Sequence, residues 1–165
     1  MPNWSEGAVR MEEPKEKTVE REAPEAREHY PHFLDIPTRW IDNDVYGHVN
    51  NVVYYSYFDT VVNEYLIRSG VLNIEKSPVI GLVVETQCRY FAPITFPDDV
   101  HAGLRVARLG RSSVRYEIGL FKNDDASAAA QGHFVHVYVE RESRKATALS
   151  NEMRAALEQL LGEAG

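Results

Sequence analysis

Cysteine is nearly absent: Cys88 is the only one in 165 residues, so no internal disulfide can form. No apolar run is long enough to cross a bilayer or to serve as a secretory h-region. Basic residues are in the minority, 18 against 25 acidic, and the net charge of -7 argues against a general affinity for nucleic acid or anionic membrane. An anionic ligand would therefore need a local basic cluster. These absences make the cytoplasm the expected location, and the length suits one domain that buries a single core without disulfides or structural metal.

Residues 1–30 contain no Ile, Leu or Phe but eight Glu and five Lys or Arg. Such a stretch has little apolar surface to set against its ordering entropy, and it reads as a mobile charged tail ahead of a folded domain over 31–165. A charged helix is the alternative, but Pro14 and Pro24 interrupt it and neither face is apolar.

From Tyr30 onward the pattern changes. "FLDIPTRWI" reads as a strand, and the segment after it carries two carboxylates, a Gly-His pair and a double Asn directly before an apolar run with no breaker until Gly70. The Val, Tyr and Phe content of that run favours a strand, but about eighteen unpunctuated residues are too many for one and suit a helix. Tyr54, Phe58, Val61, Val62 and Tyr65 fall on one helical face, Asn50 is the expected N-cap, and Arg68 with Gly70 marks the C-terminal end.

Strands follow. In "VIGLVVETQCRYF" Ile80, Leu82, Val84, Thr86, Cys88 and Tyr90 are expected on one face and Glu85, Gln87 and Arg89 on the other. "VHAGLRVARL" and "SSVRYEIGLF" form a hairpin about the Gly110-Arg111 turn, and "NDDAS" leads into "AAAQGHFVHVYVE", which is apolar on both faces and reads as a central or partner-covered strand. "SNEMRAALEQLLGE" gives a short helix with a Ser or Asn cap. The expected fold is α+β: an antiparallel sheet of about five strands wrapped around one long helix, closed by a short C-terminal helix.

The motif D-x-D-x-x-G-H-V-N-N-x-x-Y, here Asp42, Asp44, Gly47, His48, Val49, Asn50, Asn51 and Tyr54, resembles the signature of hotdog-fold acyl-CoA thioesterases of the 4-hydroxybenzoyl-CoA thioesterase type. "RYFAPITFPDDV" and "LGRSSVRYEI" resemble the same family, so the likeness runs from Phe33 to Glu140. The resemblance implies that Asp44 is the catalytic carboxylate and that the backbone amide of Asn51, seven residues on, polarises the thioester carbonyl. Helix N-terminal amides lack internal acceptors and carry the positive end of the macrodipole, which suits a developing oxyanion. The carboxylate can serve as nucleophile or as general base, and the sequence leaves both open. His48 takes a supporting role, while Gly47, Asn50, Tyr54 and Phe58 are assigned to the acyl site. Arg89, Arg111 and Arg115 with Ser112 and Ser113 are candidates for the coenzyme A phosphates. The resemblance implies no cofactor beyond the coenzyme A of the substrate, and it implies a homodimer or homotetramer, because a lone sheet leaves an open edge.

Plainer readings stand beside these. Asp42 is expected as a cap or turn residue, Asp59 and Glu64 as structural helix carboxylates, and Cys88 as inert packing. His133 and His136, three apart on a strand, face opposite sides and make a poor metal pair. A hotdog hydratase or dehydratase could use an Asp44 and His48 pair, but the chain lacks the Asn-Pro segment of that type. A non-catalytic acyl-CoA-binding protein is the other alternative.

Overall fold

A computed structural model describes residues 22–162. Most of the tail expected over 1–30, up to residue 21, lies outside the described residues, as do the last three residues. Strand β1 (His32–Pro37) leads to helix α1 (Val53–Arg68), strands β2 (Val79–Tyr90), β3 (Asp99–Leu109), β4 (Ser113–Lys122) and β5 (Ala130–Glu140), and helix α2 (Asn151–Glu158). The strands form one antiparallel sheet in the order β1-β3-β4-β5-β2. This is the expected hotdog arrangement. Helix α1 carries the chain from one edge of the sheet to the other, and its backbone lies chiefly over β3 and β1.

The inner face is set by alternation. Val100, Ala102, Leu104 and Val106 of β3 and Val114, Tyr116, Ile118 and Leu120 of β4 are fully buried, and they meet Phe58, Val61 and Val62 of α1, also fully buried. Each such aliphatic or aromatic side chain contributes about 1.5–3 kcal/mol relative to an exposed one. The helix ends as expected: Gly70 has φ +73°, and the Val71 N–H bonds to the Leu66 carbonyl at 3.1 Å across the turn. Ser150 caps α2, accepting from the Met153 N–H at 3.1 Å. The strand apolar on both faces, β5, is central, between β4 and β2.

Strand β2 departs from the expected alternation. A register shift between Val83 and Glu85 inserts Val84 as an extra residue, so Gly81 and Val83 stand opposite Tyr138 and His136, while Thr86, Cys88 and Tyr90 stand opposite Phe134, Gly132 and Ala130. Directly opposed residues share a face. Gly81 and Val83 therefore lie on the same face as Thr86 and Cys88, and Ile80 and Leu82 lie on the other. The strand is a sheet edge whose apolar residues stay exposed, Val83 at 47% and Val84 at 60%.

Ordered contacts begin ahead of residue 31. The Ala128 N–H bonds to the Glu25 carbonyl at 2.9 Å, and the Tyr30 ring is buried on the outer face of the sheet over Gly103 and Gly119. Those two glycines are directly opposed across β3 and β4, and a Cβ on either would come within 2.6–2.8 Å of the ring. On that face Arg105 joins Glu117 at 3.0 Å and Glu25 at 3.3 Å.

Candidate active site

The segment between β1 and α1 folds back on itself. A single 3-10 turn over Trp40–Asp42 ends on Asp42, whose carboxylate accepts from the Arg39 N–H at 2.9 Å, the Arg39 Nε at 3.0 Å and the Tyr57 hydroxyl at 2.8 Å. Asp42 is 1% exposed. Burial alone would raise its pKa, but those three donors outweigh it and hold the carboxyl below the ordinary range. Asp42 is thus the anchor of the loop, in keeping with its reading as a turn residue. The Asn50 N–H reaches back to the Asp42 carbonyl at 2.8 Å, and Asn43 pairs with Val49 as an isolated antiparallel bridge.

Within this small hairpin Asp44 is the turning point. Its N–H donates to the His48 carbonyl at 2.9 Å, its carbonyl accepts from the Gly47 N–H at 3.0 Å, and its Oδ1 accepts from the Tyr46 N–H at 2.8 Å. Gly47 has φ +82°, the left-handed conformation that the turn needs and that a Cβ would disfavour. The second carboxylate oxygen of Asp44 makes no hydrogen bond among the described residues. Asp44 lines an open groove with Trp40, Val45, Tyr46 and Asn50. Two contacts fix the hairpin to the loop after β2: Val49 N–H to the Ile94 carbonyl at 2.8 Å and Phe96 N–H to Asn43 Oδ1 at 3.1 Å.

The helix begins two residues later than expected. The Asn50 side chain accepts from the Val52 N–H at 3.1 Å and its carbonyl from the Val53 N–H at 2.9 Å, so Asn50 caps a turn that runs into α1 at Val53. The Asn51 N–H lies inside this turn and makes no hydrogen bond among the described residues. The Asn51 carbonyl accepts the Tyr90 hydroxyl at 2.8 Å, which ties the helix start to the end of β2. Burial and the neighbouring Cys88 push the Tyr90 phenol well above its usual value, so it remains a donor. A half-buried carboxylate and a free amide thus stand at the two sides of one short hairpin.

The sequence matches the model of the thioesterase-like superfamily over residues 37–157. The chain belongs to this superfamily. Among solved structures, the PA5185 protein of Pseudomonas aeruginosa PAO1 is 55% identical, with TM-score 0.84, over 87% of this chain and all of that one. The PA2801 protein of Pseudomonas aeruginosa is 30% identical, with TM-score 0.72, over 77% of this chain and 98% of that one. A thioesterase of Thermus thermophilus, complexed with coenzyme A and zinc, is 31% identical, with TM-score 0.67, over 81% of this chain and 96% of that one.

Other residues assigned from the superfamily signature fall in different places. The His48 imidazole is exposed and makes no hydrogen bond among the described residues, so only its carbonyl holds Asp44. Tyr54 and Phe58 do not line the groove. They face the sheet side of α1, where Tyr54 packs edge-on against Tyr90 at 4.9 Å and Phe58 packs against Phe134 at 5.5 Å. Arg89 points to the outer face of the sheet and meets Glu22 at 3.3 Å, while Arg115 meets Glu117 at 3.6 Å on that face. Arg111, Ser112 and Ser113 sit at the β3–β4 turn, the far end of the sheet from the loop. The eleven residues of β3 separate the two ends, about 35 Å at strand rise, so one protomer cannot bring that turn to its own groove. Asp59 is exposed on α1, and Glu64 pairs with Arg68. Burial pushes the Cys88 thiol up to about 11, in line with inert packing.

Two roles escaped the sequence reading, those of Tyr57 and Tyr90. Each uses its hydroxyl to hold one side of the hairpin, and nothing in a run of helix or strand aromatics marks which hydroxyl finds a partner. His133 and His136 lie on opposite faces, and His133 bonds Glu85 at 2.7 Å. Among the described residues no group of three or more His, Cys, Asp or Glu side chains could hold a metal ion, and no helix is long and apolar enough to cross a membrane.

Proposed function

We propose that this member of the thioesterase-like superfamily hydrolyses an acyl-CoA thioester to the free acid and coenzyme A, as an enzyme of the 4-hydroxybenzoyl-CoA thioesterase type. Two observations support the reading: the Asp44 carboxylate lines the groove with one oxygen free, and the Asn51 amide just ahead of α1 makes no hydrogen bond among the described residues. The thioester carbonyl oxygen would accept the Asn51 N–H, and the oxyanion formed on attack would be stabilised there without reorganisation. Asp44 would either take a proton from the attacking water or attack the carbonyl carbon itself, giving an anhydride that water then opens. In both routes the C–S bond breaks and coenzyme A leaves as thiolate. The coenzyme A bound to the Thermus thermophilus thioesterase supports this substrate class. Neither route calls on a cofactor or metal, and the single cysteine suits a cytoplasmic enzyme.

The reading includes a dimer. Strand β2 is a twelve-residue edge with exposed apolar side chains, a surface that soluble proteins cover. Two copies joined antiparallel along β2 would set the β3–β4 turn of one, with Arg111, Ser112 and Ser113, near the end of the sheet that carries the other's groove. These residues then serve the coenzyme A phosphates across the interface, which restores the assignment that a single protomer forbids. Association of two such dimers gives the tetramer.

Asp44→Asn tests the reading, because the amide oxygen still caps the Tyr46 N–H and the fold should be preserved. Release of free thiol from acyl-CoA esters is expected to fall by about 100-fold or more with a melting temperature close to that of the parent protein. Undiminished hydrolysis removes Asp44 from the chemistry, and tight acyl-CoA binding without thiol release in the parent makes the protein a binder.

A further inference from the structure

The outer face of the sheet carries a cavity of about 290 Å³ that shares no residue with the groove. Its floor is built in cross-strand rows. Gln87, His133, Glu117 and Arg105 stand side by side on β2, β5, β4 and β3, and the next row is Arg89, Gln131, Gly119 and Gly103. Directly opposed residues share a face, so the side chains of both rows point the same way. The segment ahead of β1 forms the roof. The Gln131 amide holds it twice, accepting from the Glu25 N–H at 2.7 Å and donating to the Ala23 carbonyl at 3.3 Å.

Tyr30 lies along the second row. Gly103 faces its Cβ and Cγ, and Gly119 faces its Cζ and hydroxyl, so the phenol points toward β5. Tyr30 is 5% exposed and lines the cavity, and its hydroxyl makes no hydrogen bond among the described residues. Burial raises its pKa well above the usual value, so the phenol stays a donor. Buried hydroxyls rarely go unpaired, and one that does so in the wall of a cavity suits a ligand that accepts.

The cavity has more donors than its own acids use. Arg105 is engaged on all sides, by Glu117 at 3.0 Å, Glu25 at 3.3 Å and the His29 carbonyl at 3.4 Å. Arg115 donates to His133 Nδ1 at 3.2 Å and lies 3.6 Å from Glu117, and the rest of its fork has no acceptor among the described residues. His133 is then neutral, with its Nε2 hydrogen given to Glu85 at 2.7 Å. Arg89 meets Glu22 at 3.3 Å, but that carboxylate is 64% exposed at the rim and can turn out to water. Three guanidiniums then face Glu25 and Glu117, and a single negative charge balances the cavity. A dianion would overfill it. The Arg115 fork, level with His133, and the Tyr30 hydroxyl, level with Gly119, are two residues apart along β4, about 7 Å. One carboxylate accepting at both ends spans that gap.

We propose that this outer-face cavity binds a small organic monocarboxylate, whose oxygens accept from the Tyr30 hydroxyl and the free N–H groups of Arg115, with Arg89 as the second positive charge. The site does not depend on the thioesterase reading of the groove. In a chain of net charge -7 an anion needs such a local arginine cluster, and this one is partly shielded from solvent by the roof. The volume is at the lower end for ligand sites, which limits the acid to a small body. Pairing of two copies along β2 would add strands in the plane of the sheet, so the proposed dimer leaves this face accessible.

Benzoate, phenyl phosphate and benzamide share one ring and, at about pH 8, carry one, two and no negative charges. Titration calorimetry on the full chain should show benzoate binding about tenfold or more tighter than either of the others. Tyr30→Phe keeps the ring over the two glycines and removes only the hydroxyl, and it should weaken benzoate by about tenfold. Arg115→Gln should weaken it by as much or more, with a melting curve to show that the fold is kept; where it is not, Tyr30→Phe decides alone. Asp44→Asn, altered only in the groove, should bind benzoate as the parent does. Absence of benzoate binding in the parent overturns the proposal, as does phenyl phosphate or benzamide binding equally well. Unchanged affinity in Tyr30→Phe, or a loss in Asp44→Asn that would place the acid in the groove, also refutes it.

Discussion

Asp42 and Asp44 are two residues apart and should respond to substitution in opposite ways. Asp42→Ala removes a carboxylate that is 1% exposed and leaves the Tyr57 hydroxyl, itself buried, with no acceptor. A buried hydrogen bond to a charged group is worth about 1.5–3 kcal/mol. The Arg39 guanidinium is mostly exposed and can turn to water, so its share is at most about 1 kcal/mol. The expected loss is therefore about 2–4 kcal/mol, which for a chain of this size lowers the melting temperature by about 5–15 °C. Tyr57→Phe removes only the donor and should cost less than Asp42→Ala. Because the carboxyl is held below its ordinary value, the folded state favours its charged form. Its contribution is complete above the ordinary value of 3.8 and is lost as pH falls below that through the folded pKa. The gap in melting temperature between the parent protein and Asp42→Ala should thus be flat near neutral pH and narrow below about pH 4. Scanning calorimetry at one fixed protein concentration measures it, since oligomers melt in a concentration-dependent way. A loss below about 1 kcal/mol, or a gap that widens in acid, would refute the assignment of Asp42 as the anchor.

Gly47→Val tests the left-handed turn. Nothing lies within 4 Å of a Cβ at Gly47, so the cost is conformational only, about 1–2 kcal/mol. Turnover should fall because the turn that aims Asp44 is displaced; equal kcat in the variant would mean that the turn does not set the carboxylate. Val84→Lys places a charge at the bulge of the exposed edge strand, and sedimentation should show a shift toward monomer. An unchanged mass would exclude the β2 edge as the interface.

The long helix was legible because its length outweighed the β-branched content, and its C-terminal end because Gly70 does what the sequence position required. The strand set was legible from alternation, which β4 keeps throughout and β3 keeps up to the register shift after Val106. Strand β2 was misread in its first half, since a bulge changes no residue and is decided by the partner strand. Ile80 and Leu82 look identical in sequence whether they face the helix or the opposite side. Tyr54 and Phe58 were placed in the acyl site for a similar reason: an aromatic on an amphipathic helix is marked as facing inward, and the sequence does not distinguish core from cleft. Residues 22–30 read as charged tail because nothing local predicts that Tyr30 will find two glycines side by side on different strands.

The candidate site divides along the same line. Asp44, Gly47 and Asn50 lie within seven residues, and their roles are local ones, turn, left-handed corner and cap, which spacing can encode. Tyr57 and Tyr90 act through single hydroxyls that meet partners distant in sequence, in the segment before α1, and only the tertiary fold brings them there. The Arg111 turn shows the limit most clearly, because it is distant from its own groove and would join a site only in the proposed dimer. A motif thus reports the part of an active site that the backbone builds from neighbours. The two tyrosine hydroxyls that hold the loop come from residues whose chemistry is common and whose meaning depends on what the fold brings against them.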